Sequence, residues 1–271
     1  MDWNAMAAPW LRIEADTDAA HAPIRHALMR RADLQPGQHV LDIGPGAGIT
    51  LLDAARAVGP EGRVTGVEIA PLFAKRARER APDNVAVEIG DAQEFAFAPA
   101  CFDAAISLFG VMFFRDSVAA FSNIRRALKP GAALHFACWG PPAKNPYFTM
   151  TGRVAAEVFG PGDAFDPTGP GPMRFGDADR LADILREAGF TAGIDTVDTH
   201  LTPAGTPEQV AAVHMTIGAA SMRIGQAKDA GILTDAHKEA IRAGMTEGFA
   251  AMLDGGAVRV PANIHYVHAT A

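Results

Sequence analysis

The stretch Val40-Leu41-Asp42-Ile43-Gly44-Pro45-Gly46-Ala47-Gly48 constrains this chain more than any other. Strand-forming residues and one acid run straight into glycines at 44, 46 and 48, and Ile49–Val58 then reads as a helix. That order lets backbone approach a nucleoside closely and aims free N–H groups at it. The spacing is Gly-x-Gly-x-Gly, whereas a pyrophosphate binder sets its third glycine one residue deeper, for close packing of helix on sheet. A glycine turn alone also fits an ordinary tight connection between core elements. Here acids follow at Glu68 and Asp91, each at the end of a later strand, and that context favours nucleoside binding.

The same unit repeats along the first half of the chain. Pro23–Leu34 has helical spacing at Ile24, Leu28 and Ala32, and His39–Ile43 is a buried strand. Arg63–Ile69 is a second strand, Pro71–Arg80 a basic helix opened by a proline, and Val85–Gly90 a third strand. Phe102–Leu108 is continuously apolar, as a parallel strand covered on both faces should be. Ser117–Leu128 is a helix stopped by Lys129-Pro130-Gly131, and Ala133–Trp139 is a fifth strand. Five strands with four intervening helical patterns predict a doubly wound α/β sheet. Glu68 then falls at the carboxyl edge of the second strand, the edge where open parallel sheets bind ligands and where an acid can hold two ribose hydroxyls.

The remaining segments have other textures. Residues 1–20 show no clean period around Trp3, Trp10 and Ile13. Residues 140–176 are rich in Pro and Gly, with one helical patch near Phe148–Phe159, and their aromatics and methionines predict an ordered lid or pocket wall. Asp177–Ala188 is a helix, Gly193–Leu201 a sixth strand, Thr206–Gly255 two or three helices and Val258–His268 a closing strand.

At 271 residues, 49% hydrophobic and 20% charged, the chain is well supplied for a globular core. The net charge is −7, and no basic cluster extends beyond one helix surface, so no nucleic acid partner is expected. Two cysteines are too few for a disulfide framework or a cysteine metal site. No apolar run is long enough to span a membrane and the N-terminal residues are acidic, so the expectation is a cytoplasmic protein with no membrane partner.

Taken together, Val40–Gly48, Glu68, Asp91-Ala92, Phe102–Leu108 and Leu128-Lys129-Pro130-Gly131 resemble the successive motifs of class I S-adenosylmethionine-dependent methyltransferases. The likeness is closest to the small-molecule branch called methyltransferase type 11 or UbiE-like, and Phe109–Phe114 and Ala137–Gly140 are similar to that branch too. The resemblance covers residues 35–145 and implies S-adenosyl-L-methionine as cofactor. It implies an α/β, doubly wound, mostly parallel seven-stranded Rossmann-like sheet closed by an antiparallel strand, with a helical cap. The expected organisation is a single methyltransferase domain over 1–271, with a cofactor-binding core at 35–140. Segments 1–34, 141–176 and 206–255 would form the cap and acceptor pocket.

By position, the resemblance implies that Asp42, Gly44 and Gly46 line the methionine part of the cofactor, in a turn that includes Ile43 and Pro45. Glu68 would hold the ribose hydroxyls and Ile69 would pack on adenine. Asp91 would bond the adenine amino group, Ala92 its ring edge, and Ser107 would lie near the sulfonium. Pro45 departs from the small residue usual in the family; it removes one loop donor and stiffens the turn.

Methyl transfer from a sulfonium is an in-line displacement, so the protein contributes mainly positioning and desolvation. A general base is needed only for an alcohol, phenol or acidic carbon. His21, His26, Tyr147, His265 and His268 are available, and His21 and His26 are preferred because they lie in the segment that could cover the cofactor. No metal-ligand spacing or serine elbow is present. Beyond the fourth and fifth strands, Phe109, Trp139 and Tyr147, with Met112, Phe113, Phe114 and Phe148, favour a small apolar or aromatic acceptor over a sugar. The expected partner is thus a small-molecule acceptor, and a homodimer is left open. Two other classes remain: a protein that binds S-adenosylmethionine without transferring methyl, and a nicotinamide oxidoreductase. The second would want wider glycine spacing and a catalytic Tyr-Lys pair.

Overall fold

A computed structural model describes residues 2–162 and 166–271; residues 163–165 of the expected cap segment lie outside the described residues. Three helices, α1 (Trp3–Leu11), α2 (Glu14–Ala20) and α3 (Ala22–Ala32), precede β1 (His39–Ile43). The chain continues through α4 (Ile49–Val58), β2 (Arg63–Glu68), α5 (Pro71–Arg80) and β3 (Val85–Ile89). Next come β4 (Phe102–Leu108), α6 (Ser117–Ala127), β5 (Leu128–Trp139), α7 (Pro146–Phe159) and α8 (Ala178–Glu187). The last elements are β6 (Thr191–Leu201), α9 (Pro207–His214), α10 (Gly218–Asp229), α11 (Asp235–Ala250) and β7 (Val260–Thr270).

The seven strands form one sheet in the order β3-β2-β1-β4-β5-β7-β6, with β7 antiparallel to both neighbours and the pairs among β1 to β5 parallel. This is the expected Rossmann-like fold. β1 is buried on both faces: Leu41 and Ile43 join one apolar cluster with Ile24, Leu28 and Phe121, while Val40 joins another with Leu51, Val64 and Ile106. Helices on both faces of the sheet are what a continuous apolar strand requires. Pro261 lies beyond Ile264, where the pairing of β7 with β5 ends; only β6 pairs with the strand there, and a missing N–H is tolerated.

Three expectations need correction. Residues 1–20 are two helices, α1 capped by the Asp2 carboxylate on the amides of Asn4 and Ala5. Their residues gave no period because they pack on scattered partners, Ala47, Ala70, Phe73 and Phe113, rather than on one broad face. The β3–β4 connection holds no helix among the described residues; a turn after Asp91 leads to Phe95 and Phe97, which pack in place of one. Finally, β5 begins at Leu128, not Ala133: Leu128 pairs with Phe102, and the register slips before Ala104 meets Ala133. Gly131 at φ +80° and the missing N–H of Pro130 absorb that irregularity.

Candidate cofactor cleft and acceptor wall

The strand order reverses between β1 and β4, so the crevice at their carboxyl ends is the place where this topology binds ligands. The glycine turn sits there. Gly44, Gly46 and Gly48 all have left-handed backbones, at φ +65°, +57° and +94°. At Gly44 space is also limiting, since a Cβ would lie 3.2 Å from the Gly110 Cα. Gly110 is equally constrained: its own Cβ would lie 2.5 Å from the Ile43 carbonyl oxygen. The two strand ends therefore touch backbone to backbone. Sequence reasoning does not single out Gly110 as a site residue, although it lies within the Phe109–Phe114 stretch that resembles the family branch.

Glu68 is 5% exposed at the end of β2. Its Oε2 accepts from the Gly46 N–H and its Oε1 from the Ala70 N–H, each at 2.9 Å. Burial raises its pKa, and the amides of Ala70, Gly46 and Ile69 oppose that shift. A carboxylate has about four acceptor positions, so two remain for a ligand's hydroxyls. Ile69, beside it, leaves its apolar side chain 45% exposed at the sheet edge. Asp91 is half-buried and caps the Gln93 N–H with Oδ1, and Ala92 is buried.

Asp42 is fully buried. One carboxylate oxygen accepts from the Thr50 hydroxyl, and the other, Oδ1, is buried with no partner. Burial is the main cause that pushes its pKa up to about 7; the Thr50 bond opposes this, and the charges of Glu68 and Asp53 add to it. Ser107 is also fully buried, and its hydroxyl is spent on backbone: it donates to the Ile43 carbonyl at 2.8 Å and accepts from the Gly110 N–H at 3.2 Å. Its place is as a brace between the β1 and β4 ends, which reach the cleft through Gly44 and Gly110. Pro45 is buried behind the turn against the Gly66 backbone.

The aromatic residues divide. Met112 and Phe114 belong to the core, Phe114 edge-on to Phe121 at 6.0 Å. Phe109 instead takes a left-handed backbone at φ +66°, a conformation costing about 1–3 kcal/mol in a non-glycine residue. Its ring stacks on Trp139 at 4.6 Å and 4°. Trp139 lies nearly parallel to Tyr147 at 6.0 Å, and Phe148 meets Trp139 edge-on at 4.9 Å. These rings form a wall that begins one residue from Gly110 and continues into α7.

Two histidines border the wall. The His21 ring meets Phe109, Trp139 and Tyr147 at 5.4, 6.1 and 6.0 Å, and burial lowers its pKa to about 4. His214, at the end of α9, packs on Tyr147 at 4.5 Å and Phe249 at 5.0 Å. It is 1% exposed, its Nδ1 has no partner, and burial with His21 nearby lowers its pKa to about 4. Sequence reasoning missed it because it lies far along the chain in a helix with no motif. His26 is exposed on α3 beside Arg25, away from these rings, because α3 turns Ile24 and Leu28 inward. His265 is held by Thr196, and His268 packs on His135.

The N-terminal helices lie over the same edge. Ala7 is fully buried in a small cluster with Ala70 and Phe73, against which Trp3, Trp10 and Ala47 pack, and Trp3 meets Phe113 edge-on at 4.8 Å. Arg80 binds Glu14, Asp18 and the Ala47 carbonyl, so one α5 side chain ties α2 to the glycine turn. A cleft of about 470 Å³, lined by Ile13, Asp16, Gln209 and Val213 among others, lies where α2 approaches α9.

The residues fit a nucleoside cofactor with a cationic tail. The turn excludes side chains, Glu68 keeps acceptor capacity, Ile69 offers an apolar face, and the orphaned Asp42 oxygen is matched to positive charge. Among the described residues no helix is long and apolar enough to cross a membrane.

Comparison with known proteins finds methyltransferases among the sequence relatives. A family model described as a methyltransferase domain matches residues 40–131. Nocamycin O-methyltransferase of Saccharothrix syringae is 33% identical over 184 residues, covering 62% of this chain; the chain thus spans 64% of that relative's length. Demethylmenaquinone methyltransferase of Alkalihalophilus pseudofirmus is 28% identical over 185 residues, 63% of this chain and 77% of the relative. In fold, the YcgJ protein of a Bacillus species superimposes with a TM-score of 0.59 at 15% identity, covering 92% of this chain and 98% of that one. Residues 40–131 thus match a methyltransferase domain, and the relatives to which the chain is similar are methyltransferases.

Proposed function

We propose that this chain transfers the methyl group of S-adenosylmethionine to a small apolar or aromatic molecule by in-line displacement. The carrying observation is the contact of Gly110 with Gly44, which joins the aromatic wall directly to the glycine turn. Bound there, S-adenosylmethionine supplies an electrophilic methyl group whose leaving sulfur needs no proton. Glu68 would hold the ribose hydroxyls, with Ile69 on adenine and Asp91 and Ala92 at its amino group and ring edge. The turn of Ile43, Gly44, Pro45 and Gly46 would follow the methionine part, and Asp42 would face its positive charge. Ser107 shapes the turn from behind.

Phe109, Trp139 and Tyr147 would take the acceptor, orienting a flat apolar molecule and excluding water from the reacting atoms. Segments 1–34, 141–176 and 206–255 would enclose it, with α1 and α2 over the cofactor edge. The names of the relatives, which refer to nocamycin and demethylmenaquinone, support a small-molecule acceptor. A net charge of −7 supports a small molecule over nucleic acid as partner, and two free cysteines suit a cytoplasmic setting.

Calorimetry with S-adenosylmethionine, S-adenosylhomocysteine and NAD tests the cofactor, and S-adenosylhomocysteine release with a panel of acceptors tests the transfer. Micromolar binding of the sulfonium compound with none of NAD is expected. NAD binding alone would overturn the reading. Cofactor binding with no methylated product from any acceptor would favour a protein that uses the cofactor without methyl transfer.

A further inference from the structure

Methyl transfer to an acceptor on the aromatic wall leaves His21 without a role, and any role for it at this site depends on that proposed function. The ring ends α2 and enters the aromatic wall at the carboxyl ends of β4 and β5. Its Nδ1 lies 2.9 Å from the Thr17 carbonyl oxygen. A carbonyl only accepts, so Nδ1 carries the ring proton and donates it. The lone pair of the neutral imidazole is then on Nε2, which meets no donor among the described residues. The ionisable groups around the ring are the Tyr147 phenol and His214, and burial keeps both uncharged near neutral pH. His21 is likewise neutral. The site therefore presents one fixed, uncharged proton acceptor among aromatic faces, next to the turn that would hold a sulfonium.

We propose that His21 is the catalytic base of an O-methylation, taking the proton from a hydroxyl on an aromatic acceptor lying against Phe109, Trp139 and Tyr147. As the hydroxyl oxygen's electron pair forms the new bond to the methyl carbon, the carbon–sulfur pair leaves with sulfur. The hydroxyl proton passes to Nε2 and from there to water. A hydroxyl becomes strongly acidic while its oxygen is being alkylated, so a weakly basic imidazole suffices once the bond is forming. A neutral base also adds no positive charge beside the sulfonium. Thr17 acts as the positioning group, since its carbonyl fixes which nitrogen is free.

Two measurements on the full chain test this. In the first, protein saturated with S-adenosylhomocysteine is titrated with para-nitrophenol at a pH where the free phenol is mostly protonated. A hydrogen bond to Nε2 should move the probe's absorbance toward that of the phenolate. His21→Phe keeps a ring but loses the nitrogen, so the band shift should vanish and affinity fall about tenfold. No probe binding to the wild type, or the same shift in His21→Phe, would overturn the assignment.

In the second, S-adenosylmethionine is offered with naphthol, naphthylamine and naphthalenethiol, which share one scaffold, and products are identified by mass. Methyl naphthyl ether is expected, with kcat lowered about a hundredfold in His21→Phe and partly restored by imidazole in His21→Gly. Cofactor affinity in both variants should stay within about twofold of wild type, which guards against a folding defect. Methylation of the amine or thiol alone, or an unchanged kcat, overturns the His21 base while leaving methyl transfer intact. Loss of the wider reading would show as no cofactor binding by the wild type. If no naphthalene is turned over, the absorbance result alone decides.

Discussion

Glu68 reaches across the sheet edge to the Gly46 amide, its Oε2 accepting that N–H at 2.9 Å. The acid that ends β2 thus fixes the turn that follows β1. It has two tasks, bracing the turn and offering its remaining acceptor positions to a ribose.

Glu68→Ala should therefore do more than weaken binding. Losing charge-assisted bonds to two hydroxyls costs about 1.5–3 kcal/mol, or roughly ten- to a hundredfold in the dissociation constant for S-adenosylhomocysteine. The amides of Gly46 and Ala70 would also lose their acceptor, lowering the melting temperature by about 2–8 °C. Glu68→Gln, which keeps an acceptor, should melt closer to wild type. Calorimetry and thermal melting separate the two effects. An unchanged dissociation constant in Glu68→Ala would mean that the ribose is held elsewhere.

Asp42 should make cofactor affinity depend on pH. In the unfolded chain an aspartate loses its proton near pH 4, whereas here burial pushes the pKa up to about 7. The ligand-free fold thus holds more protons than the unfolded chain between about pH 4 and 7. This group's contribution to stability falls as pH rises through that window and levels off above it. A cationic ligand beside the carboxyl favours its ionised form and so reverses the preference. S-adenosylmethionine should bind about tenfold more weakly at pH 6 than at pH 8, with proton release at the lower pH. Asp42→Asn should abolish the dependence. Calorimetry in buffers of different ionisation enthalpy reads the proton directly, and a flat profile in the wild type would place the cation away from Asp42.

The Gly44–Gly110 contact makes a sharper comparison. Gly44→Ala forces a Cβ into a left-handed backbone, costing about 1–2 kcal/mol, and sets it 3.2 Å from the Gly110 Cα. Gly110→Ala puts a Cβ 2.5 Å from the Ile43 carbonyl oxygen, so the β1 and β4 ends must part. Both should melt lower and bind S-adenosylhomocysteine at least tenfold more weakly. Gly171→Ala and Gly193→Ala meet nothing within 4 Å and serve as controls. Equal binding by all four variants would show that the close approach does not shape the cleft.

The parts of this molecule written in local patterns were legible from sequence. β1, β4, α4 and α5 have the bounds their residues suggest, because continuous apolar strands, glycines and an N-terminal proline act within a few positions. The bracing of Gly46 by Glu68 was not legible, since it joins two strand ends 22 residues apart. His214 reaches Tyr147 only because α11 packs on both α9 and α7, and nothing in its own helix marks it. The β3–β4 connection was counted among the helical patterns, yet Phe95 and Phe97, two positions apart and so on opposite sides of any helix, pack from a loop. Ser107 was expected at the sulfonium. Its strand position is right, but its hydroxyl faces backbone, and pairing of that kind leaves no trace in spacing.

The N-terminal helices give the last prediction. Arg80 bonds Glu14 and Asp18 on the α2 side and the Ala47 carbonyl in the turn, and its side chain is 16% exposed. Ion pairs this sheltered are less screened than surface ones, so breaking them should loosen α1 and α2. If these helices close over the cofactor, S-adenosylhomocysteine should slow hydrogen exchange in residues 3–20 as well as around Gly44 and Glu68. Arg80→Met keeps the apolar stem and removes the charge. It should raise exchange in α1 and α2 without ligand, weaken S-adenosylhomocysteine binding by about three- to tenfold, and leave β4 and β5 exchange unchanged. Protection confined to the glycine turn and the strand ends would show that α1 and α2 pack on the edge without closing it, and the acceptor pocket would then have to be completed by α7 and α9 alone.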